Sequence, residues 1–228
     1  MPDQYKKLDN PAWHSLTETH ARFALGNATL KRYDPGIVLF AGFNVEEKNA
    51  TVQFDKVFNS GDSFFLFDYF PSLPHNYKIE TVIQCQQMVC ERPVQQAITE
   101  QLVQLQQKDR EEMYTLVSTV FPGYYLPDTP LMGDYFGIFK KGKLVAMAGE
   151  RLRMNGLTEI SAVVTHPDHQ GRKYAQQLIS LLDDKNLQAG NIPFLHTGAE
   201  NERAIGIYEL LGYTKRRMIP VTKIKRMI

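Results

Sequence analysis

The sequence predicts an α+β fold: a mixed, mostly antiparallel sheet flanked by helices, preceded by a smaller α+β domain. Three observations predict it. A chain of 228 residues is longer than most single domains. Its hydrophobic period changes from helical to alternating after Leu126. From Pro93 onward the order reads helix, three strands, helix, strand, helix, strand, which suits helices packed on the faces of a sheet. Pro93, after Glu91-Arg92, marks the expected division into residues 1–92 and 93–228. The first part has 9 basic and 11 acidic residues and the second 17 and 14, so they carry −2 and +3.

The first part opens with an expected helix from Asn10 to Leu25, with Pro11 in its first turn and Gly26-Asn27 past its end. Short strands are expected at Ile37–Phe43, Thr51–Phe54, Ser63–Phe67 and Thr81–Val89. Asp34-Pro35-Gly36, Asn59-Ser60-Gly61-Asp62 and Pro71-Ser72-Leu73-Pro74 separate them. Ile98 to Val120 reads as a Gln-rich helix, because Ile98, Leu102, Leu105, Met113, Leu116, Val117 and Val120 recur at helical spacing. Asp134 to Met154 reads as a hairpin turning at Lys140–Lys143. Asn155-Gly156 is a two-residue turn into a strand at Leu157–Val164. An amphipathic helix follows at Tyr174–Gln188, a strand at Ile192–His196 and a helix at Glu202–Leu211 closed by Gly212. Tyr213 to Ile228 closes the chain as one or two strands. Its six basic residues and lack of acidic ones suit a charged sheet edge.

Composition narrows the function. Hydrophobic residues make up 43% and charged residues 22%, as in a soluble globular protein. A net charge of +1 gives no case for nucleic acid or an anionic membrane surface as partner. The longest early apolar run, Ile37 to Phe43, is too short to span a bilayer, and no apolar segment follows the first residues as in a signal peptide. Cys85 and Cys90 are the only cysteines and form no metal-ligand pattern, so no metal is expected. These features predict a cytoplasmic protein with free thiols.

Three features point to chemistry. The loop Gln170-Gly171-Arg172-Lys173-Tyr174-Ala175 runs from a strand into a helix N-terminus. There, unpaired N–H groups and the helix dipole favour a phosphate, and Arg172 and Lys173 add charge. Asn201 stands at the start of the next helix, and Tyr208, two turns on, lies near the same face. Glu159 lies on the strand that leads to the loop, 14 residues before Lys173.

These segments resemble the two strongest motifs of the GNAT superfamily of acyl-CoA-dependent N-acyltransferases. The loop resembles Gln/Arg-x-x-Gly-x-Gly/Ala at Gln170, Lys173 and Ala175. The later segment resembles Asn-x-x-Ala-x-x-x-Tyr-x-x-x-Gly-Phe/Tyr at Asn201, Ala204, Tyr208, Gly212 and Tyr213. Glu159 to Thr165 with His166-Pro167-Asp168 resembles the FR47-like subgroup, and the likeness covers Ile98 to Ile228. The opening Leu8–Leu16 resembles the leader of two-domain members, which names no function.

The resemblance implies an enzyme using acetyl-CoA as co-substrate. It implies that the strand carrying Val163, Val164 and Thr165 splays from the strand at Ile192–His196, its freed backbone binding pantetheine. Gln170, Gly171, Arg172, Lys173, Tyr174 and Ala175 would hold the diphosphate, and Asn201 would contact pantetheine. Tyr208 would protonate the departing thiolate, and Glu159 would be the general base, with Glu150 and His196 as rivals. The acceptor would be a small-molecule amine or amino acid held between the two domains; the chain could pair as a homodimer. Lys173 departs from the motif's first glycine. It is expected to keep the negative φ of a helix start and to turn its side chain outward. A degenerate loop would instead suit a non-catalytic acyl-CoA-binding or protein-interaction module.

Overall fold

The structure is a computed structural model that describes residues 3–46, 53–68 and 72–228. Helix α1 spans Pro11–Thr17 and is followed by a 3-10 turn at Ala21–Phe23. Strands β1 (Ala24–Gly26), β2 (Leu30–Tyr33) and β3 (Ala41–Phe43) form a small antiparallel sheet. Then come α2 (Phe54–Val57), β4 (Ser63–Phe67), β5 (Tyr77–Val89), β6 (Val103–Gln104) and α3 (Arg110–Val120). The chain continues with β7 (Tyr135–Lys140), β8 (Lys143–Met154), β9 (Leu157–Thr165) and α4 (Tyr174–Gln188). It closes with β10 (Ile192–Gly198), α5 (Glu202–Leu210) and β11 (Thr214–Arg226).

Eight strands form the main sheet in the order β4-β11-β5-β10-β9-β8-β7-β6. Every neighbouring pair is antiparallel except β9 and β10, so the sheet is mixed and mostly antiparallel as expected. Alternation along the strands builds two cores. Leu195 packs with Leu178, Leu182 and Ile205 beneath α4 and α5. Phe194, next to it, packs with Leu8, Ala12 and Leu16 under α1. The side of α3 adds Met113, Leu116 and Val117 against Tyr135, Met147 and Val164.

The sheet crosses the expected division at Arg92/Pro93. Strands β4 and β5 come from the first 92 residues, and β5 lies between β10 and β11. Strand β11 is therefore interior rather than an edge. Its basic side chains meet acids of the N-terminal segments: Arg216 meets Asp9 at 2.8 Å and Lys223 meets Glu80 at 3.0 Å. Gly212 ends α5 with φ +95, and a Cβ there would lie 2.4 Å from the Arg92 carbonyl oxygen, so glycine is required.

Several expected elements are shorter or different, for local reasons. The first helix stops at Thr17, whose Oγ1 donates to the Trp13 carbonyl, while Glu18 turns away to accept from Lys7 and the Asn155 N–H. Residues 98–106 form no helix and include β6, and the helix starts at Arg110; the Gln177 Oε1 of α4 accepts from the Thr99 and Glu100 N–H groups and holds that backbone open. Of Ile37–Phe43 only Ala41–Phe43 is a strand. Phe54 begins α2 instead of ending a strand; Thr51, Val52 and Pro71 lie outside the described residues.

Candidate active site

Strands β9 and β10 pair over only three residues: Leu157, Thr158 and Glu159 against Ile192, Pro193 and Phe194. Beyond that point β10 stays with β5 as far as Gly198 and Cys85, while β9 stays with β8 as far as Thr165 and Ala146. The two strands part, and their facing backbone groups have no ladder partner. A bulge enlarges the gap. Ala162 takes φ +50, and Ala162-Val163 sits between the pairs Ser161↔Gly149 and Val164↔Met147.

The gap opens into a cleft of about 990 Å³. Ser161–Val164, Thr197–Asn201, Ala204 and Tyr208 line it together with Val38–Phe40, Phe65, Phe67, Val82–Cys85 and the loop around Tyr124. Of the residues expected to bind the co-substrate, Val163, Val164 and Asn201 lie in this wall. Thr165 and Gln170–Ala175 do not line it; they continue from the end of β9 into α4. Asn201 caps α5, its side-chain oxygen accepting from the Ala204 N–H at 3.1 Å.

The Gln170–Ala175 loop is exposed up to Lys173. Gly171 has φ +77 and Lys173 φ +59, ψ +22, the left-handed region. The negative φ expected for Lys173 is thus corrected: lysine holds the conformation a glycine would favour, at a steric cost. The gain is a turn whose successive N–H groups face outward ahead of the first turn of α4. Arg172 and Lys173 have no ion-pair partner among the described residues, and Arg203 reaches toward Gln170. Three cations and a helix N-terminus fit a diphosphate. No cluster of metal-ligating side chains is present among the described residues.

Tyr208 lines the cleft, and its hydroxyl has no hydrogen-bond partner among the described residues. Burial pushes its pKa up to about 12, so the phenol keeps its proton at neutral pH.

Glu159 is buried outside the cleft wall, with no exposed surface. A second bulge, between the pairs Glu150↔Ile160 and Arg153↔Thr158, sets Arg151 and Leu152 opposite it. Arg151 grips both carboxylate oxygens, Nε to Oε2 at 2.8 Å and Nη2 to Oε1 at 2.7 Å. His196 Nδ1 donates to Oε1 at 2.7 Å, and the Leu152 N–H lies 3.3 Å from Oε2. Burial alone would raise this pKa, but the charge and hydrogen bonds of Arg151, with those of His196, hold it at about 2. The carboxylate is thus tied to Arg151 and His196 and does not line the cleft.

The rivals are also engaged. Glu150 is buried on the other side of the sheet with Lys185 at 2.7 Å and Asn186 at 3.0 Å. His196 lines the cleft, but its Nε2 lies 2.9 Å from Gln87 Nε2. Gln87 also donates to the Leu8 carbonyl and accepts from Arg216, which fixes its amide. Since the Glu159 carboxylate can only accept, His196 Nδ1 is the donor in the hydrogen bond between them. Arg151 and Gln87 did not stand out in the sequence: one sits at a bulge that breaks alternation, the other lies in the N-terminal part. The bulge at Ala162 had no signal, since alanine is not a turn residue.

Comparisons with known proteins agree with this geometry. Residues 135–220 match the family model FR47-like protein. A crystal structure from Novosphingobium aromaticivorans, named as an acetyltransferase of the GNAT family, superposes with a TM-score of 0.87 at 29% identity over 97% of this chain and 99% of its own. Residues 135–220 thus resemble an FR47-like domain, and the chain has the fold of GNAT-family acetyltransferases. Two more distant structures share the fold. A GCN5-related N-acetyltransferase from Kribbella flavida matches at TM-score 0.58 and 15% identity over 94% of this chain and 93% of its own. An acetyltransferase from Colwellia psychrerythraea matches at 0.53 and 12% over 86% and 80%. No curated protein matches the sequence. Acyl transfer from acyl-CoA is the chemistry that this fold supports. No helix of its described residues is long and apolar enough to cross a membrane.

Proposed function

We propose that the protein transfers an acetyl group from acetyl-CoA to the primary amine of a small molecule, an amine or amino acid, by direct attack. The observation that carries this reading is the parted pair β9 and β10 with the unpaired Tyr208 hydroxyl beside the gap. The freed backbone of Val163 and Thr165 holds the pantetheine arm and polarises the thioester carbonyl. Gln170 to Ala175 hold the diphosphate, with Asn201 against pantetheine.

The amine loses its first proton to water in the cleft, because Glu159, Glu150 and His196 are all engaged. Its nitrogen then bonds to the carbonyl carbon as the carbon–sulfur bond breaks. Tyr208 gives its proton to sulfur, and the proton shed by the new amide restores the phenol. Glu159 acts one step away, fixing Arg151 and His196. A covalent cysteine route is disfavoured: Cys85, in the cleft, has its thiol pushed up by burial to about 11.

A thiol-release assay over a panel of amines tests this. Turnover with at least one amine, with acetyl-CoA bound in the micromolar range by calorimetry, is expected. Acetyl-CoA binding without turnover of any amine would leave a binding module; no binding at millimolar ligand would remove the reading altogether.

A further inference from the structure

Arg151 is paired with Glu159, and part of its guanidinium is unspent. Glu159 takes its Nε and one Nη2 hydrogen. Nη1 has no hydrogen-bond partner among the described residues and is not enclosed, and the side chain is 19% exposed in the wall of the cleft. The guanidinium lies 4.8 Å over the Phe40 ring, which also lines the cleft. Beyond it the wall is aromatic: Phe65, Phe67 and Tyr124. Two phenols in the same wall, Tyr125 and Tyr135, have buried hydroxyls with no partner among the described residues. Unspent donors of Arg151, Tyr125 and Tyr135 thus line the same cleft, amid rings that offer them no hydrogen-bond acceptor.

We infer that the acceptor is an amino acid with a large apolar or aromatic side chain, its carboxylate taken by Arg151. A planar guanidinium already locked by Glu159 presents N–H groups in a fixed direction, the geometry that suits a carboxylate. The rings of Phe40, Phe65 and Phe67 take the side chain, which leaves the amine free to turn toward the bulge at Ala162-Val163. A second cation on the acceptor would meet Arg151 and is disfavoured, so polyamines are poor substrates. This inference rests on the acyl-transfer reading above.

The test uses matched pairs on the unaltered enzyme with acetyl-CoA: L-phenylalanine against phenethylamine, L-leucine against isoamylamine, and L-phenylalaninamide beside them. The amino acids should exceed the decarboxylated amines by ~10-fold or more in kcat/KM, carried by KM, and phenylalaninamide should fall with the amines. Equal rates within the pairs, equal use of the amide, or turnover confined to polyamines would overturn the inference while leaving acyl transfer standing. No turnover of any amine would remove the acyl-transfer reading and this one with it. The doubly neutral variant Arg151→Gln with Glu159→Gln avoids an uncompensated buried charge. In a folded sample, the phenylalanine-to-phenethylamine ratio should collapse toward one, and a ratio kept as in wild type would overturn the inference. If that variant does not fold, the matched pairs decide alone.

Discussion

Tyr208 and Glu159 invite opposite expectations when altered. Tyr208 has a free hydroxyl and a pKa near 12, so Tyr208→Phe removes a proton donor and little else. The turnover rate should fall by about 10- to 10⁴-fold, with acetyl-CoA affinity by calorimetry within a factor of three of wild type. An unchanged rate would remove it from the chemistry. Glu159→Gln should act first on stability, since it strands the Arg151 guanidinium without its counter-charge, a loss of about 3–5 kcal/mol in denaturant unfolding. Because the pKa of Glu159 is depressed in the folded protein, its contribution is complete above the ordinary value of 4.5 and is lost as pH falls toward about 2. Wild type should therefore lose stability across that window, and Glu159→Gln should lose less. The motif residues were legible one by one because their spacing is local. The partners that decide what Glu159 can do were not: Arg151 is across a bulged ladder, and His196 and Gln87 lie 37 and 109 positions apart from their partners in the network.

Among the elements, α4 and its approach carry two testable features. Lys173 holds φ +59 at the helix start. Lys173→Gly should raise stability by about 1 kcal/mol, measured by urea unfolding, because glycine meets no Cβ penalty there. It should also weaken CoA binding about two- to five-fold through loss of one exposed charge. The second feature is Asp183, buried where α4 faces Tyr213. Burial raises its pKa to about 7, although the Tyr213 hydroxyl donates to it at 2.6 Å. With the folded value raised, the stabilisation is complete below the ordinary 3.8 and is lost as pH rises through about 7. Asp183→Asn should accordingly have a melting temperature that gains on wild type between pH 5 and pH 8; parallel curves would refute it. Helix α4 itself was readable to the residue from its amphipathic period, whereas the stretch before α3 was not. There the helical spacing of Ile98, Leu102 and Leu105 is overruled by the Gln177 side chain, a tertiary contact that no local pattern announces.

The sheet as a unit bears on the division of the chain at Arg92. Hydrophobic alternation identified nearly all the strands after Pro93 but could not say which strands lie side by side. Strand β5 of the first part separates β10 from β11 of the second, and its 13 residues pair with both. Residues 93–228 expressed alone should therefore be insoluble or unfolded by circular dichroism, and the full chain should melt in one transition. A soluble fragment with a native-like spectrum would show the division to be real. The same arrangement explains why part of the cleft wall, with Phe40, Phe65 and Cys85, is built by the part of the chain that carries none of the recognisable motifs.

Strand β11 holds residues 214–226 of 228 and sits between β4 and β5. It follows every other described strand of the main sheet in sequence, yet it fills an interior place. Until it emerges, β4 has no neighbour in the main sheet and β5 has one open side, so each offers an apolar edge to other chains. The sheet cannot close before β11 has been made, and the protein's yield in cells should depend on whatever shields those two edges meanwhile.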